Sequence, residues 1–141
     1  MIVLDTDHLS VLGYLKDAHA AALIARMHES GESHFAISIV TVEEQLRGWL
    51  SLINQLPDAH KQVIDYERLM TRLAFFAGWK ILPFDTRAAD EFKRLRRAKV
   101  RVRTMDLKIA SIALVHDALL LSANLRDFRS VPGLEVEIWL D

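Results

Sequence analysis

Short apolar runs alternate with longer amphipathic stretches along the chain. Residues 1–4 form an apolar, β-branched run that ends at Asp5 and predicts a buried strand. In residues 17–29 apolar side chains recur three and four positions apart, which predicts a helix that stops at Gly31. The same two patterns predict strands at 35–40, 79–84, 118–123 and 136–140, and helices at 60–78, 86–99 and 104–116.

Two further helix starts are predicted from capping residues. Thr41-Val-Glu-Glu44 has the pattern of a capping box, in which a threonine hydroxyl and a glutamate three positions later bind the first amides of a helix. This pattern predicts a helix from Thr41 towards Asn54. Thr6 and Asp7 are candidates to cap a short helix after the first strand.

The predicted strands alternate with helices and are apolar throughout rather than at every second position. Such strands are typical of a parallel sheet that is covered on both faces. The sequence therefore predicts an α/β fold, a three-layer α/β/α sandwich with a mostly parallel central sheet and a helical pair, residues 43–78, as an appendage. With 141 residues and no repeat or linker, one domain spanning residues 1–141 is expected.

Composition narrows the functional classes. The chain has no cysteine, which excludes disulfides, thiolate zinc sites and cysteine nucleophiles and fits a cytoplasmic location. The apolar start is interrupted at Asp5 and Asp7, so neither a signal peptide nor a membrane span is expected. The six histidines, His8 among them, show no ligand-like spacing, so we expect surface or half-buried positions rather than a zinc site.

Four acidic residues follow predicted strands or open the next helix, at the edge of a parallel sheet where ligands bind. Clustered carboxylates repel one another, which raises their pKa values unless a cation neutralises them, and oxygen donors alone suit Mg²⁺ or Mn²⁺. Such an ion could activate water for attack on a phosphodiester, so the pattern predicts a nuclease. The four residues are Asp5, Glu44, Asp106 and Asp127.

Each acid also has a structural explanation. Asp5 could cap a helix, the helix dipole alone favours Asp106, and Asp127 could belong to a turn. Glu44 is ambiguous, because its place in the capping box explains it without a metal. Its neighbour Glu43 lies about 100° around the helix and is expected to face elsewhere.

Four segments, in their order along the chain, resemble the PIN domain of the VapC-type toxin group. They are residues 3–6 (VLDT), 37–48 (ISIVTVEEQLRG), 104–110 (TMDLKIA) and 122–128 (SANLRDF), the last followed by VPGL at 131–134. The resemblance places the family's three acids on Asp5, Glu44 and Asp106, with Asn124 and Asp127 as the polar pair beside the metal. We therefore expect a catalytic site in which Mg²⁺ is held, directly or through water, by Asp5, Glu44, Asp106 and Asp127, with Asn124, Thr6 and Thr104 in support.

The resemblance also implies the reaction and the partners. It implies a compact α/β/α domain, one or two Mg²⁺ or Mn²⁺ ions, endonucleolytic cleavage of RNA, a homodimer, and a cognate antitoxin that wraps the helical pair and inserts a basic side chain into the site. Asp7, Asp117, Ser122 and Arg103 depart from the family's usual residues. Arg103, which stands where glycine is common, could reach a substrate phosphate or crowd the entrance.

A basic segment adds candidate contacts to the RNA backbone, with a solvated helix face as the alternative. It matters because the net charge of the chain is only −1, so a surface for nucleic acid must be local. The segment comprises Lys93, Arg94, Arg96, Arg97, Lys99, Arg101 and Arg103, of which we expect Arg97, Lys99, Arg101 and Arg103 to contact RNA.

Two other functions are compatible with an acidic cluster on an α/β fold. A receiver-like signalling domain would also bind Mg²⁺, but it needs a lysine at the end of a late strand, where this chain has Asn124 and Arg126. A non-catalytic binding module would keep the fold and bind metal without cleaving RNA.

Overall fold

The computed structural model describes residues 1–14 and 18–140 of the chain. Asp17, the predicted first residue of a helix, lies outside the described residues. Within them the strands are β1 (Ile2–Leu4), β2 (Phe35–Ser38), β3 (Lys80–Leu82), β4 (Leu119–Leu121) and β5 (Glu135–Glu137). The helices are α1 (Thr6–Tyr14), α2 (Ala18–Glu29), α3 (Ile39–Gln55), α4 (Ala59–Ala77), α5 (Thr86–Arg97), α6 (Thr104–Val115) and α7 (Leu125–Phe128).

The strands form one sheet in the order β3-β2-β1-β4-β5, and every pairing in it is parallel. The predicted parallel α/β sheet is thereby confirmed. In β1, Ile2 is in register with Phe35 of β2 on one side and with Leu119 of β4 on the other. The chain first builds the sheet outward from β1 through β2 to β3, and then returns to the other side of β1. The junction of β1 and β4 is therefore the topological switch point, where open α/β sheets bind ligands.

Successive residues of β1 point to opposite faces of the sheet and enter two different cores. Val3 packs in a cluster with Leu95 of α5, Leu107 of α6 and Phe128 of α7. Ile2 and Leu4 pack instead with side chains of α1 and α2, with Val42 at the start of α3 and with Phe76 of α4. The three predicted layers follow from this alternation.

The helical pair α3–α4 is anchored in the core at one end and exposed at the other. Trp49 of α3 stacks on the buried ring of Phe76, with ring centroids 5.5 Å apart. Farther along the pair, large apolar side chains remain exposed, namely Leu50, Leu52, Val63, Ile64 and Met70. Among the described helices, none is both long and apolar enough to cross a membrane.

The predicted capping box at the start of α3 is wrong. The helix begins at Ile39, because Ser38 is its N-cap and the Ser38 Oγ accepts a hydrogen bond from the Thr41 backbone N–H at 3.0 Å. Thr41 is itself buried in the first turn, where its hydroxyl accepts a hydrogen bond from Ser38 Oγ at 3.2 Å. Strand β2 consequently ends at Ser38 rather than at residue 40, and Glu44 is released from any capping role.

Other differences lie at the ends of elements. Helix α1 already includes Thr6 and Asp7, which were predicted to cap it. The Asp5 carbonyl accepts from the Leu9 N–H at 3.0 Å, so Asp5, rather than Thr6 or Asp7, occupies the position before the helix. Helix α7 is too short for a periodic signal and was not predicted. The strands β3 and β5 are shorter than their apolar runs, since Pro83 cannot donate to a ladder and β5 pairs with β4 over three residues.

The Ser38 cap predicts a measurable loss of stability. Ser38→Ala leaves the Thr41 N–H buried without its acceptor, so we expect the free energy of unfolding in urea to fall by about 1–2 kcal/mol. Ser51→Ala, an exposed serine-to-alanine change in the same helix, should have little effect. Equal stability of Ser38→Ala and Ser51→Ala would contradict the observed cap.

Candidate functional site

A cleft of about 710 Å³ opens at the carboxyl ends of the central strands, beside the switch point. Strand β1 delivers Asp5 to it, the second turn of α3 delivers Glu44, and the first turn of α6 delivers Asp106. These three predicted acids therefore meet in one cleft, although 101 positions separate the first from the last (106 − 5). The lining comprises Asp5, Thr6, Ser10, Glu44, Gln45, Gly48, Trp49, Leu52, Arg103, Asp106 and Asn124.

Asp5 is the most deeply placed acid whose pKa is perturbed. One oxygen accepts from the Thr6 N–H at 2.8 Å, and the other accepts from Ser122 Oγ at 2.9 Å. Burial, together with the charges of Asp7 and Asp106, raises the pKa of Asp5 to about 6 against the lowering effect of the two hydrogen bonds. A carboxylate held in this way is neutralised either by a proton or by a cation.

Asp106 is buried and receives two long polar contacts. Arg103, three residues earlier, places its Nη2 3.4 Å from Asp106 Oδ2 while its own side chain stays 78% exposed. Asn124 Nδ2 lies 3.5 Å from the same oxygen. Arg103 thus reaches the acidic cluster itself, and it provides the one guanidinium among the described residues that line this cleft.

Glu44 faces the cleft and Glu43 does not. Burial raises the pKa of Glu44, and the charges of Asp106 and Asp5 raise it further, whereas Arg103 lowers it. Glu43 is exposed and forms an ion pair with Arg47 one turn away. The structure therefore puts the two neighbouring glutamates in the different settings expected from their positions on the helix.

Asp127 is displaced from the cleft by one side chain. It lies in α7, half-buried, and accepts from Asn124 Nδ2 at 3.1 Å. Asn124 is therefore the cleft residue, since its amide contacts Asp127 on one side and Asp106 on the other.

Two other predicted groups lie outside the lining. The Thr104 hydroxyl is exposed and accepts from Arg96 Nη2 at 2.5 Å, and in the described part of the chain no hydrogen bond joins it to an acid of the cleft. Arg97, Lys99 and Arg101 are exposed on the end of α5 and the following loop, which runs to Arg103 at the cleft.

Ser122, Asp7 and His8 were not predicted as site residues, although the resemblance already identified Asp7 and Ser122 as departures from the family's usual residues. His8 is completely buried, contrary to the expectation of a surface or half-buried position. Its ring Nδ1 lies 2.5 Å from Asp7 Oδ1, and Asp7 Oδ2 accepts from the Ala123 N–H at 2.8 Å. Burial opposes ionisation of Asp7, but the His8 ring and the Ala123 and His8 amides together hold its pKa below the usual range.

The described side chains of the cleft provide the donor atoms that a divalent cation prefers, but they do not already form a complete coordination site. Among the residues that the structure describes, no three acidic or histidine side chains already form a complete metal-binding group. Mg²⁺ keeps several of its waters when it binds proteins, so the carboxylates that line the cleft can hold it partly through water. Asp5, Glu44 and Asp106 supply only oxygen, and a cation would offset the burial and the charge repulsion that together raise the pKa values of Asp5 and Glu44.

A family model and several solved structures are similar to the chain. The model of the PIN domain matches residues 2–134. No curated protein matches. A chain of FitAcB from Neisseria gonorrhoeae has 25% sequence identity and a TM-score of 0.68, with 99% of this chain and 98% of that chain covered.

Two further structures share the fold at lower identity. A chain of DNA-bound VapBC from Salmonella typhimurium has 24% identity and a TM-score of 0.67, covering 98% of this chain and 97% of that one. A chain of VapBC2 from Rickettsia felis, bound to a promoter DNA fragment, has 19% identity and a TM-score of 0.65, covering 99% of both. The resemblance noted in the sequence is confirmed, and the receiver-like alternative is not supported, because such domains have the strand order 2-1-3-4-5.

The raised pKa of Asp5 predicts a pH-dependent stability. Because the pKa rises from 3.8 to about 6 on folding, the folded protein binds more protons than the unfolded chain between these values. Asp5 therefore makes stability fall as the pH rises through this window, by up to about 3 kcal/mol. We expect Asp5→Asn, unfolded in urea with EDTA present, to gain about that much stability relative to wild type between pH 4 and pH 7.

Asp90→Asn is the matched control, since Asp90 is exposed on α5. Its stability relative to wild type should change little over the same pH range. A difference between Asp5→Asn and wild type that is the same at pH 4 and pH 7 would show that the pKa of Asp5 is not raised.

Proposed function

The chain belongs to the PIN-domain family, and on that premise we propose that it is a metal-dependent endoribonuclease and the toxin of a toxin–antitoxin pair. PIN-domain toxins are generally nucleases that use divalent metal ions. The observation that carries the proposal for this chain is the convergence of Asp5, Glu44 and Asp106 on one cleft at the switch point of the sheet.

In this proposal the acids of the cleft hold the metal, and neighbouring polar side chains hold the acids in place. Asp5, Glu44 and Asp106 would hold Mg²⁺ or Mn²⁺, partly through water, and the ion would supply an activated water and charge stabilisation for phosphodiester hydrolysis. Ser122 fixes the second oxygen of Asp5, so the first is left beside the Thr6 N–H. Asn124 holds Asp127 and orients towards Asp106.

Arg103 is placed to bind the substrate. Its guanidinium lies at the cleft and its side chain is largely exposed, so the contact with Asp106 at 3.4 Å can be exchanged for a phosphate oxygen. Arg97, Lys99 and Arg101 continue the positive charge outward along the exposed α5–α6 loop. No ion pair of these three residues is found within the described ranges, whereas Arg94 is paired with Glu91.

A protein partner is supported by the exposed apolar side chains of the helical pair. Leu52, Ile64 and Met70 are each more than half exposed, which is costly for large apolar residues without a partner. The similar chains come from VapBC and FitAcB structures. We propose that a cognate antitoxin covers this face and sets a basic side chain against the acids, and the implied homodimer stays a prediction.

The proposed activity is tested by cleavage of RNA with purified protein and Mg²⁺. We expect Asp5→Asn and Asp106→Asn to lower the cleavage rate by about 100-fold or more, because each removes a charge that holds the metal. We also expect Mg²⁺ to raise the melting temperature of wild type, and the same variants should lose this rise. Cleavage that continues in excess EDTA, or full activity of either variant, would contradict the proposal.

Glu44 and Glu43 form a matched pair of variants within this test. Glu44→Gln should lower the rate strongly, whereas Glu43→Gln changes an exposed carboxylate that pairs only with Arg47 and should leave the rate near that of wild type. Equal effects of the two substitutions would remove Glu44 from the site.

The basic loop is tested by the salt dependence of RNA binding. If Arg97, Lys99 and Arg101 contact phosphates, their joint replacement by alanine should raise KM and reduce the slope of log affinity against log salt by about 2. Lys80→Ala is the control, because Lys80 is exposed at the amino end of β3, whereas the cleft lies at the carboxyl ends of the strands. An unchanged salt slope would favour the alternative of a solvated helix face.

A further inference from the structure

Beside the cleft, a second set of polar groups joins three segments that are far apart in sequence. His8 in α1 is completely buried, and its Nε2 accepts from the Trp139 backbone N–H at 2.9 Å. Its Nδ1 lies 2.5 Å from Asp7 Oδ1. Asp7 Oδ2 in turn accepts from the Ala123 N–H at 2.8 Å. One chain of hydrogen bonds thus runs from the C-terminal segment through α1 to the loop after β4.

The donors and acceptors in this chain define the tautomer of His8. A backbone N–H can only donate, so the Trp139 bond requires a His8 Nε2 without a proton. The proton of the neutral ring then resides on Nδ1 and is donated to Asp7. The Asp7 carboxylate accepts on both oxygens. Oδ1 accepts from the His8 ring and, at 2.7 Å, from the His8 N–H, and Oδ2 accepts from the Ala123 N–H. The ionised carboxylate satisfies every donor that faces it.

The loop after β4 is held by the acids that begin α1. Asp5 accepts from Ser122 Oγ at 2.9 Å, and Asp7 accepts from the next residue, Ala123. The Asn124 N–H then donates to Ser122 Oγ at 3.0 Å. These bonds fix the backbone from which Asn124 reaches into the cleft.

We propose that Asp7 and His8 are positioning residues that clamp the Ser122–Asn124 loop to α1 and so set Asn124 against the acidic cleft. Neither lines the cleft, so neither is a catalytic residue. The catalytic consequence rests on the proposed ribonuclease function, whereas the clamp itself is a property of the folded chain. The C-terminal segment belongs to the same clamp, because the Trp139 N–H donates to the second nitrogen of the His8 ring.

Substitution at Asp7 tests the charge and the hydrogen bonds together. In Asp7→Asn one side of the group becomes an NH₂ donor. The remaining oxygen is expected to stay with the two donors of His8, so the Ala123 N–H faces the NH₂ group and loses its acceptor. We expect the amide hydrogens of Ala123 and Asn124 to exchange about tenfold faster or more, while the Leu120 amide of β4 is unchanged. Asp90→Asn, at an exposed site, is the control and should alter none of the three amides.

Substitution at His8 tests the link to the C-terminal segment. His8→Val leaves the Trp139 N–H buried without an acceptor, so both the Trp139 and Ala123 amides should lose protection. Because Asp7 and His8 act in one chain of bonds, the double variant should expose the Ala123 amide little more than either single variant does. His60→Val, at a residue that is 96% exposed, is the matched control. If His8→Val fails to fold, Asp7→Asn alone still decides the proposal.

Two readouts distinguish positioning from general stabilisation. Nitrogen chemical shifts of the His8 ring in wild type should show the proton on Nδ1 at neutral pH, and a proton on Nε2 would overturn the clamp. In RNA cleavage, Asp7→Asn should lower kcat by about 10-fold to 100-fold and change KM by less than about twofold, since phosphate contacts are untouched. A rise in KM with an unchanged kcat would overturn the positioning role.

The clamp and the proposed function fail in different ways. If wild type cleaves no RNA, the proposed function is lost, and the clamp is decided by the exchange of the Ala123 and Asn124 amides. If wild type is active and these amides keep their protection in Asp7→Asn, the clamp is overturned and the ribonuclease assignment stands.

Discussion

The hydrogen bond from Ser122 Oγ to Asp5 joins residues 117 positions apart and closes the centre of the sheet. It exists because β1 pairs directly with β4 in parallel, with Leu4 in register with Leu121, so that the residues after both strands leave the sheet side by side. Everything at the cleft is built outward from this junction. β2 and α3 carry Glu44 on one side, and the loop after β4 carries Asn124 on the other.

Placing acids at this junction creates an electrostatic conflict. Burial and the neighbouring charges of Asp7 and Asp106 raise the pKa of Asp5 to about 6, and Glu44 is shifted in the same direction. A site built only for stability would replace such groups with apolar side chains. The surrounding helices, packed on both faces of the sheet, supply the stability that lets the conflict persist. A divalent cation is the partner that would resolve it.

Arg103 and the Asp7–His8 pair have different roles beside the acidic cluster. Arg103 brings a largely exposed positive charge to Asp106, and so links substrate binding to the acid cluster in the proposed function. The Asp7 carboxylate accepts hydrogen bonds from the His8 ring and the Ala123 N–H, so it holds the loop in place rather than serving as a metal ligand. Two acids only two residues apart therefore serve different purposes: Asp5, just before α1, faces the cleft, and Asp7, in the first turn of α1, holds the loop beside it.

The sequence by itself indicated the alternation of strands and helices apart from α7, the parallel α/β class, and Asp5, Glu44 and Asp106 as candidate site residues, because apolar periodicity and strand ends are local features. Element ends were less predictable: Ser38 and Thr41 are both competent caps, and the structure, in which both side chains are buried, places the cap at Ser38 and the start of α3 at Ile39. Tertiary structure alone placed Asp127 behind Asn124, set Arg103 against Asp106 and buried His8 between Asp7 and Trp139. The contacts of Asp127 and Arg103 depend on how side chains are oriented around short helical turns. The contact of His8 with Trp139 joins residues at opposite ends of the chain. Neither kind of contact produces a periodic pattern in the sequence.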